Sequence, residues 1–234
     1  MPPVERFLHV RRTARYFLLG DPGPATRELW VACHGYGQLA EPFVEALEPL
    51  LDPARVIVAP EGLSRFYLDE PAKRHGPESP VGASWMTRED RLHEIEDYVA
   101  YLDAVTEAVL AYLSGHDLRV VGLGFSQAVA TVCRWAAFGR RRLDRVILWG
   151  GAIAADRPTD RGARVFQGAS IVMVAGRKDA VTPVKFMQGE RARLMDHGVD
   201  VEFVEHDGGH ALNSDALRRI GASQSSSAAN DLSS

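Results

Sequence analysis

Cysteine is scarce in this chain: 234 residues contain only Cys33 and Cys133. That excludes a disulfide scaffold, and both thiols stand in apolar stretches where a buried free cysteine is ordinary. No run of 18 apolar residues occurs, which excludes a transmembrane helix read from hydropathy and leaves no integral membrane association to expect. No continuous apolar segment follows Met1-Pro2-Pro3-Val4-Glu5-Arg6, so no signal peptide is expected, and a reducing, cytoplasmic setting is the expectation. An excess of positive charge is missing too. Twenty-seven basic against 31 acidic residues give a net charge of −4, so no global field exists to hold nucleic acid, and no nucleic-acid partner is expected. Internal repeats are absent.

What is present fits a soluble α/β chain. Apolar residues make up 46% and charged residues 25%, ordinary values for a globular domain. Six short, almost wholly apolar runs punctuate the sequence: Leu29–Cys33, Val56–Ala59, Val120–Leu123, Val146–Trp149, Ile171–Val174 and Val201–Val204. Strands covered on both faces read this way, so the runs predict a mostly parallel sheet. Between them lie segments of helical period. From Asp90 the apolar positions Leu92, Ile95, Val99, Leu102, Val109 and Leu113 form one stripe, with Thr87 as its expected cap. Val129, Val132, Cys133, Ala136 and Ala137 form a second, ended by Gly139. The alternation predicts a doubly wound α/β domain over residues 1–220, with helices on both faces and an N-terminal antiparallel edge ribbon. Residues 62–88 are expected to be one long irregular loop, and residues 221–234, rich in serine, a disordered tail.

Chemistry concentrates after the strand ends. Gly122-Leu123-Gly124-Phe125-Ser126-Gln127 sits between a strand and a helix, with small residues, Gly124 and Ala128, two positions to either side of Ser126. A turn this tight projects its serine above the sheet, beside the unpaired amides of a helix start. A dinucleotide-binding fingerprint would need glycine where Gln127 stands. A bare serine-capped turn is the simpler rival, and the partners weigh against it. Asp179 follows the fifth apolar run and His210 the sixth, so a serine, a carboxylate and a histidine occur in the order that an α/β sheet can assemble into a nucleophile, an orienting acid and a base. His34-Gly35-Tyr36-Gly37 follows the first run and can offer the Tyr36 N–H, together with that of Gln127, to a developing oxyanion.

Other candidates have simpler explanations. His206 and His210 are four apart, but Asp207-Gly208-Gly209 between them breaks the helix a metal pair would need, so no metal is expected. His34 is expected to be a hydrogen-bonded structural residue, Cys33 a core residue, and Arg65 a surface or structural ion-pair residue. Glu89, Asp90, Glu94, Glu96 and Asp97 read as the first turn and solvated face of a helix.

Taken together, His34-Gly35-Tyr36-Gly37, Gly124-Phe125-Ser126-Gln127-Ala128, Asp179 before Val181-Thr182-Pro183, and Gly208-Gly209-His210 resemble the α/β-hydrolase phospholipase/carboxylesterase family, from about Trp30 to Leu217. Ser84-Trp85-Met86 resembles the family's Ser-Trp-Phe segment beside the acyl pocket. Ala128 departs from the second elbow glycine, and Met86-Thr87 from an aromatic-Asp pair, which bears on acyl preference. The resemblance implies an α/β-hydrolase fold and a serine carboxylesterase with Ser126, Asp179 and His210 as triad. It further implies an oxyanion hole at Tyr36 and Gln127 and no cofactor. Phe66, Trp85, Met86 and Val181 are the expected pocket residues. The expected partner is a small-molecule ester with a neutral acyl group, thioester or lysophospholipid cleavage being the neighbouring activities. A homodimer and a non-catalytic binding protein of the same fold stay open.

Overall fold

The computed structural model describes residues 2–70, 74–113, 118–154, 166 and 168–222. Nine strands and five helices alternate in the described chain: β1 Tyr16–Leu19, β2 Glu28–Cys33, α1 Ala40–Glu45, β3 Arg55–Pro60, β4 Ser64–Tyr67, β5 Val81–Ser84, α2 Arg91–Tyr112, β6 Arg119–Phe125, α3 Gln127–Phe138, β7 Arg145–Trp149, β8 Ser170–Gly176, α4 Val184–Met195, β9 Val201–His206 and α5 Ser214–Ala222. Seven strands make one sheet in the order β1-β3-β2-β6-β7-β8-β9. All its neighbours are parallel except β1, which runs antiparallel to β3.

Every residue of β2, β3 and β7 is buried, as the continuous apolar runs require. Alternation along the pleat divides the core in two. Leu29, Val31, Cys33, Val56, Val58 and Val120 face α2, α3 and α4. Trp30, Ala32, Ile57, Ala59, Val121 and Leu123 face α1 and α5. The chain moves outward from β2 to β3, then returns to β6 on the other side of β2. The loops after β2 and β6 therefore meet at the point where strand order reverses, the crevice in which open α/β sheets take their ligands.

The expected antiparallel N-terminal edge is present as β1, which pairs with β3 through Tyr16–Leu19, and four other expectations change. What fixes that edge is charge: Arg15 binds Glu61 through two bonds of 2.7 and 2.8 Å, and Arg65 adds a third at 3.1 Å. Residues 62–88 are not one irregular loop. Ser64–Tyr67 and Val81–Ser84 pair as an antiparallel hairpin, anchored where Gly37 N–H donates to the Ala83 carbonyl and Ala83 N–H to that of Gln38. Leu92 is exposed, since the stripe of α2 that packs inward starts at Ile95. Thr87 does not cap α2; Asp90 takes that place, while Thr87 Oγ1 accepts from Glu89 N–H and Thr87 N–H donates to the Glu94 carboxylate. At the C-terminus α5 takes in Gly221 and Ala222, and residues 223–234 of the expected tail lie outside the described residues.

The end of the sheet opposite the crevice is held by a buried carboxylate. Glu28 accepts from Trp30 Nε1 at 3.0 Å, Arg55 Nε at 2.9 Å and Arg119 Nη2 at 2.8 Å, joining β2, β3 and β6. Arg55 also donates to the carbonyls of Leu50 and Gly221. Glu28→Ala leaves the buried Arg55 guanidinium without its anion and lowers stability by about 3 kcal/mol, read as a lower urea midpoint.

At the end of β9, His206 is buried; its Nδ1 accepts the Gly208 N–H. Burial lowers its pKa, only partly opposed by Asp179 and Asp207. An unfolded imidazole titrates near about 6.5, so below that pH the unfolded chain takes up the proton first. Folded stability then falls as pH drops through about 6.5 toward the lower folded value. Between pH 7.5 and 5.5 the melting temperature of the native chain decreases more than that of His206→Gln.

Candidate active site

The turn after β6 has little freedom. Ser126 adopts φ 56°, ψ −117°, left-handed backbone that a residue with a Cβ rarely occupies. Its N–H donates to the Trp149 carbonyl at 2.9 Å. Glycine is required on both sides of this turn by close approach. A Cβ on Gly124 would lie 2.3 Å from the Ala128 carbonyl oxygen, and one on Gly151 would lie 2.2 Å from that of Ser126. Ala128, completely buried, fits because its side chain packs in the core and only its backbone meets Gly124.

The side chain of Gln127 ties this turn to the segment after the hairpin. Its Nε2 donates to Ser84 Oγ at 3.1 Å and the Met86 carbonyl at 2.9 Å, and its Oε1 accepts from Trp85 N–H at 3.2 Å. Gln127 thus serves through side chain and backbone separately, which leaves its N–H available at the start of α3. Neither that N–H nor Tyr36 N–H has an acceptor among the described residues.

Ser126, Asp179 and His210 come together from the ends of β6, β8 and β9. His210 Nε2 lies 2.8 Å from Ser126 Oγ, and His210 Nδ1 lies 2.7 Å from Asp179 Oδ2. The carboxylate fixes the tautomer: Nδ1 carries the proton and donates, leaving Nε2 to accept from the hydroxyl. Asp179 is buried. Burial by itself would raise its pKa, yet bonds from Thr182 N–H, His210, Thr182 Oγ1 and Val181 N–H outweigh that and hold the carboxyl below its ordinary value. Both amides bind Oδ1 at 2.8 Å and the Thr182 hydroxyl binds Oδ2 at 2.9 Å. Asp179-x-Val181-Thr182 is therefore a small anion-holding turn, and the hydroxyl of Thr182 is a supporting group that sequence order alone did not single out.

His34 is completely buried. Its Nδ1 donates to the Gly35 carbonyl at 2.8 Å and its Nε2 accepts Gly62 N–H at 3.0 Å, the structural role expected of it. Burial lowers its pKa. Cys33 is a core residue whose thiol is pushed up by burial. Glu89, Asp90, Glu96 and Asp97 are exposed. Among the described residues no three His, Cys, Asp or Glu side chains cluster as a metal site would need, and no helix is long and apolar enough to cross a membrane.

Two cavities open beside the serine. One of about 490 Å³ is lined by Ser126, Gln127, Met86, Thr131, Gly151 and Thr182, together with three arginines, Arg88, Arg91 and Arg134. The other, about 450 Å³, is lined by His210, Phe125, Phe43, Leu39, Val81 and Leu212 among others. Of the four expected pocket residues only Met86 lines either cavity. Trp85 is turned inward, its Nε1 donating to the His34 carbonyl at 2.8 Å. Phe66 packs against the Tyr36 ring, 5.1 Å between centroids. Val181 is exposed and contributes its backbone N–H to Asp179. The arginines gave no signal in sequence, because Arg88 stands in the segment before α2, and in α2 and α3 Arg91 and Arg134 read as ordinary solvated positions.

No protein-family model and no curated protein sequence matches the chain. Solved structures do. The chain is similar to esterase PE8 at 21% identity and TM-score 0.67, with 90% of this chain and 97% of that one covered. It is similar to acyl-protein thioesterase 2 of Zea mays at 17% identity and TM-score 0.68, covering 91% and 98%, and to YahD, in a structure with malic acid, at 16% identity and TM-score 0.62, covering 91% and 98%. With this sheet order, these layers and these neighbours, the chain has the α/β-hydrolase fold.

Proposed function

We propose that the chain is a serine hydrolase that cleaves carboxylic esters through an acyl-enzyme. The observation that carries this reading is the unbroken line from Asp179 through His210 to Ser126, with contacts of 2.7 and 2.8 Å. Fold neighbours described as an esterase and an acyl-protein thioesterase support it.

In this mechanism Ser126 Oγ attacks the ester carbonyl as its proton passes to His210 Nε2. The carbonyl π pair moves onto oxygen, which the N–H groups of Tyr36 and Gln127 receive; each such donor is worth about 10²- to 10³-fold in rate. Asp179 stabilises the imidazolium and keeps it oriented. Collapse of the intermediate breaks the bond to the alcohol oxygen, which leaves with the proton from His210. Water then attacks the acyl-enzyme, gives a proton to His210, and Ser126 Oγ departs with that proton as the carboxylic acid is released. The leaving oxygen must lie beside His210 Nε2. The cavity lined by His210 therefore suits the alcohol, and the one lined by Ser126 and the arginines suits the acyl group. The same geometry serves a sulfur leaving group, and parallel oxygen-ester and thioester series rank the two.

A fluorophosphonate probe is expected to label the intact protein on the peptide bearing Ser126; no label, or label elsewhere, overturns the reading. Ser126→Ala abolishes labelling and lowers ester turnover by about 10⁴-fold or more. Asp179→Asn keeps the site's shape but loses the tautomer control, with a fall in kcat of about 10⁴-fold, checked with a short-chain aryl ester.

A further inference from the structure

Between the end of β9 and His210 stand Asp207, Gly208 and Gly209. Two of these three residues have no side chain to pack, and glycine backbone has more freedom to lose than any other, so the loop keeps its shape through the bonds its peptide groups make. Both peptide groups at Gly208 are held. Its carbonyl accepts from Lys178 N–H at 3.0 Å, and its N–H donates to His206 Nδ1 at 3.0 Å. An imidazole is otherwise an unfavourable filler for position 206. The residue is buried; with Nδ1 accepting, the ring proton sits on Nε2, which is buried without a hydrogen-bond partner among the described residues. A buried donor without an acceptor is destabilising, and an apolar side chain would avoid that loss. What the ring supplies, and an apolar residue cannot, is an acceptor for the amide two residues on, the arrangement that Asn and Asp provide in an Asx-turn.

The same residue stands where the supports of all three triad members meet. Its ring lies 5.5 Å from that of Trp149, centroid to centroid, and the Trp149 carbonyl holds Ser126 N–H. Its own carbonyl accepts from Arg177 N–H at 2.8 Å, in the turn that leads to Asp179. A Cβ on Gly176, at the start of that turn, would lie 2.5 and 2.6 Å from the carbonyl oxygens of Gly208 and Gly209, so the turns bearing Asp179 and His210 are in direct backbone contact. We propose that His206 is a positioning residue: by accepting the Gly208 N–H it fixes the loop that presents His210, and so sets the contacts of the His210 imidazole to Asp179 and Ser126. His206 lines neither cavity beside the serine, so it acts on the reaction through His210. Displacing a reacting group by about 1 Å costs about 10²-fold in rate, and the loop has two glycines through which such a displacement is easily made.

The effect on turnover rests on the serine-hydrolase reading; the hold on His210 does not. Two measurements on the full chain keep them apart, with three variants aimed at one bond. His206→Leu keeps bulk and removes the acceptor. His206→Asn keeps an acceptor two residues before Gly208. Gly208→Ala disturbs the bond from the other side, since its Cβ would lie 2.8 Å from His206 Nδ1, and it keeps the test decisive should His206→Leu fail to fold. With a short-chain aryl ester, His206→Leu and Gly208→Ala are expected to lower kcat by about 10²-fold with KM within about twofold of native. His206→Asn is expected to keep kcat within about fivefold of native. Native kcat in His206→Leu or Gly208→Ala, a loss carried by KM, or an equal fall in the Leu and Asn variants overturns the inference and leaves the hydrolase standing. In the second measurement, ¹⁵N spectra of the histidine rings read the tautomer of His210. The Nδ1–H form is expected in the native chain and in His206→Asn, and a mixture with the Nε2–H form in His206→Leu and Gly208→Ala. That result supports the hold on His210 even if the fluorophosphonate probe fails to label; an unchanged tautomer in the Leu and Ala variants overturns it.

Discussion

Much of this structure depends on holding one residue in backbone geometry it would not choose. Ser126 sits at φ 56°, a conformation that costs of order 1–3 kcal/mol for a residue with a side chain. It persists because its surroundings leave no alternative. Its N–H is taken by the Trp149 carbonyl, Gly151 closes against its own carbonyl, and Gly124 lets the first turn of α3 come down onto β6. The elements that meet there are the central strands and the helix that packs across them, so the strain is offset by the burial of α3 against both neighbours. The result is a serine hydroxyl above the sheet and an unpaired amide at Gln127 in one stroke.

Around that turn the structure separates two jobs that a single polar cluster would confuse. Charges that fasten the scaffold are paired with carboxylates: Arg15 and Arg65 with Glu61, Arg55 and Arg119 with Glu28. Asp179 is held instead by amides, a hydroxyl and an imidazole, with no arginine or lysine bonded to it among the described residues. A guanidinium there would compete with His210 for the carboxylate and weaken its grip on the tautomer. Of the two cavities beside the site, the arginines line the one that His210 does not.

The hairpin of β4 and β5 shows how a segment that reads as a loop acquires its task. Its composition of glycine, proline and serine gave no period to follow, and its pairing depends on partners far along the chain: the Gly37 and Gln38 backbone on one side, the Gln127 side chain on the other. The same contacts turn Trp85 into the core and leave Met86 at the cavity. An aromatic residue in a glycine-rich segment looks like ligand surface in sequence, but an indole N–H with a buried carbonyl in reach is a core residue.

The sequence by itself determined the six parallel strands, the helices α2 and α3, and the order of serine, carboxylate and histidine. Burial on both faces writes continuous apolar runs, helix packing writes a 3.6-residue period, and a strand-to-helix turn demands small residues at fixed offsets. Those are local constraints, legible in one stretch of chain. Only the tertiary structure decided what converges. Thr182 on the carboxylate, the Gln127 clamp, the inward turn of Trp85, and the meeting of Arg88 and Arg91 with Arg134 across one cavity all join residues from separate elements. No local period marks such meetings, and the reversal of strand order beside β2 is what brings those segments together.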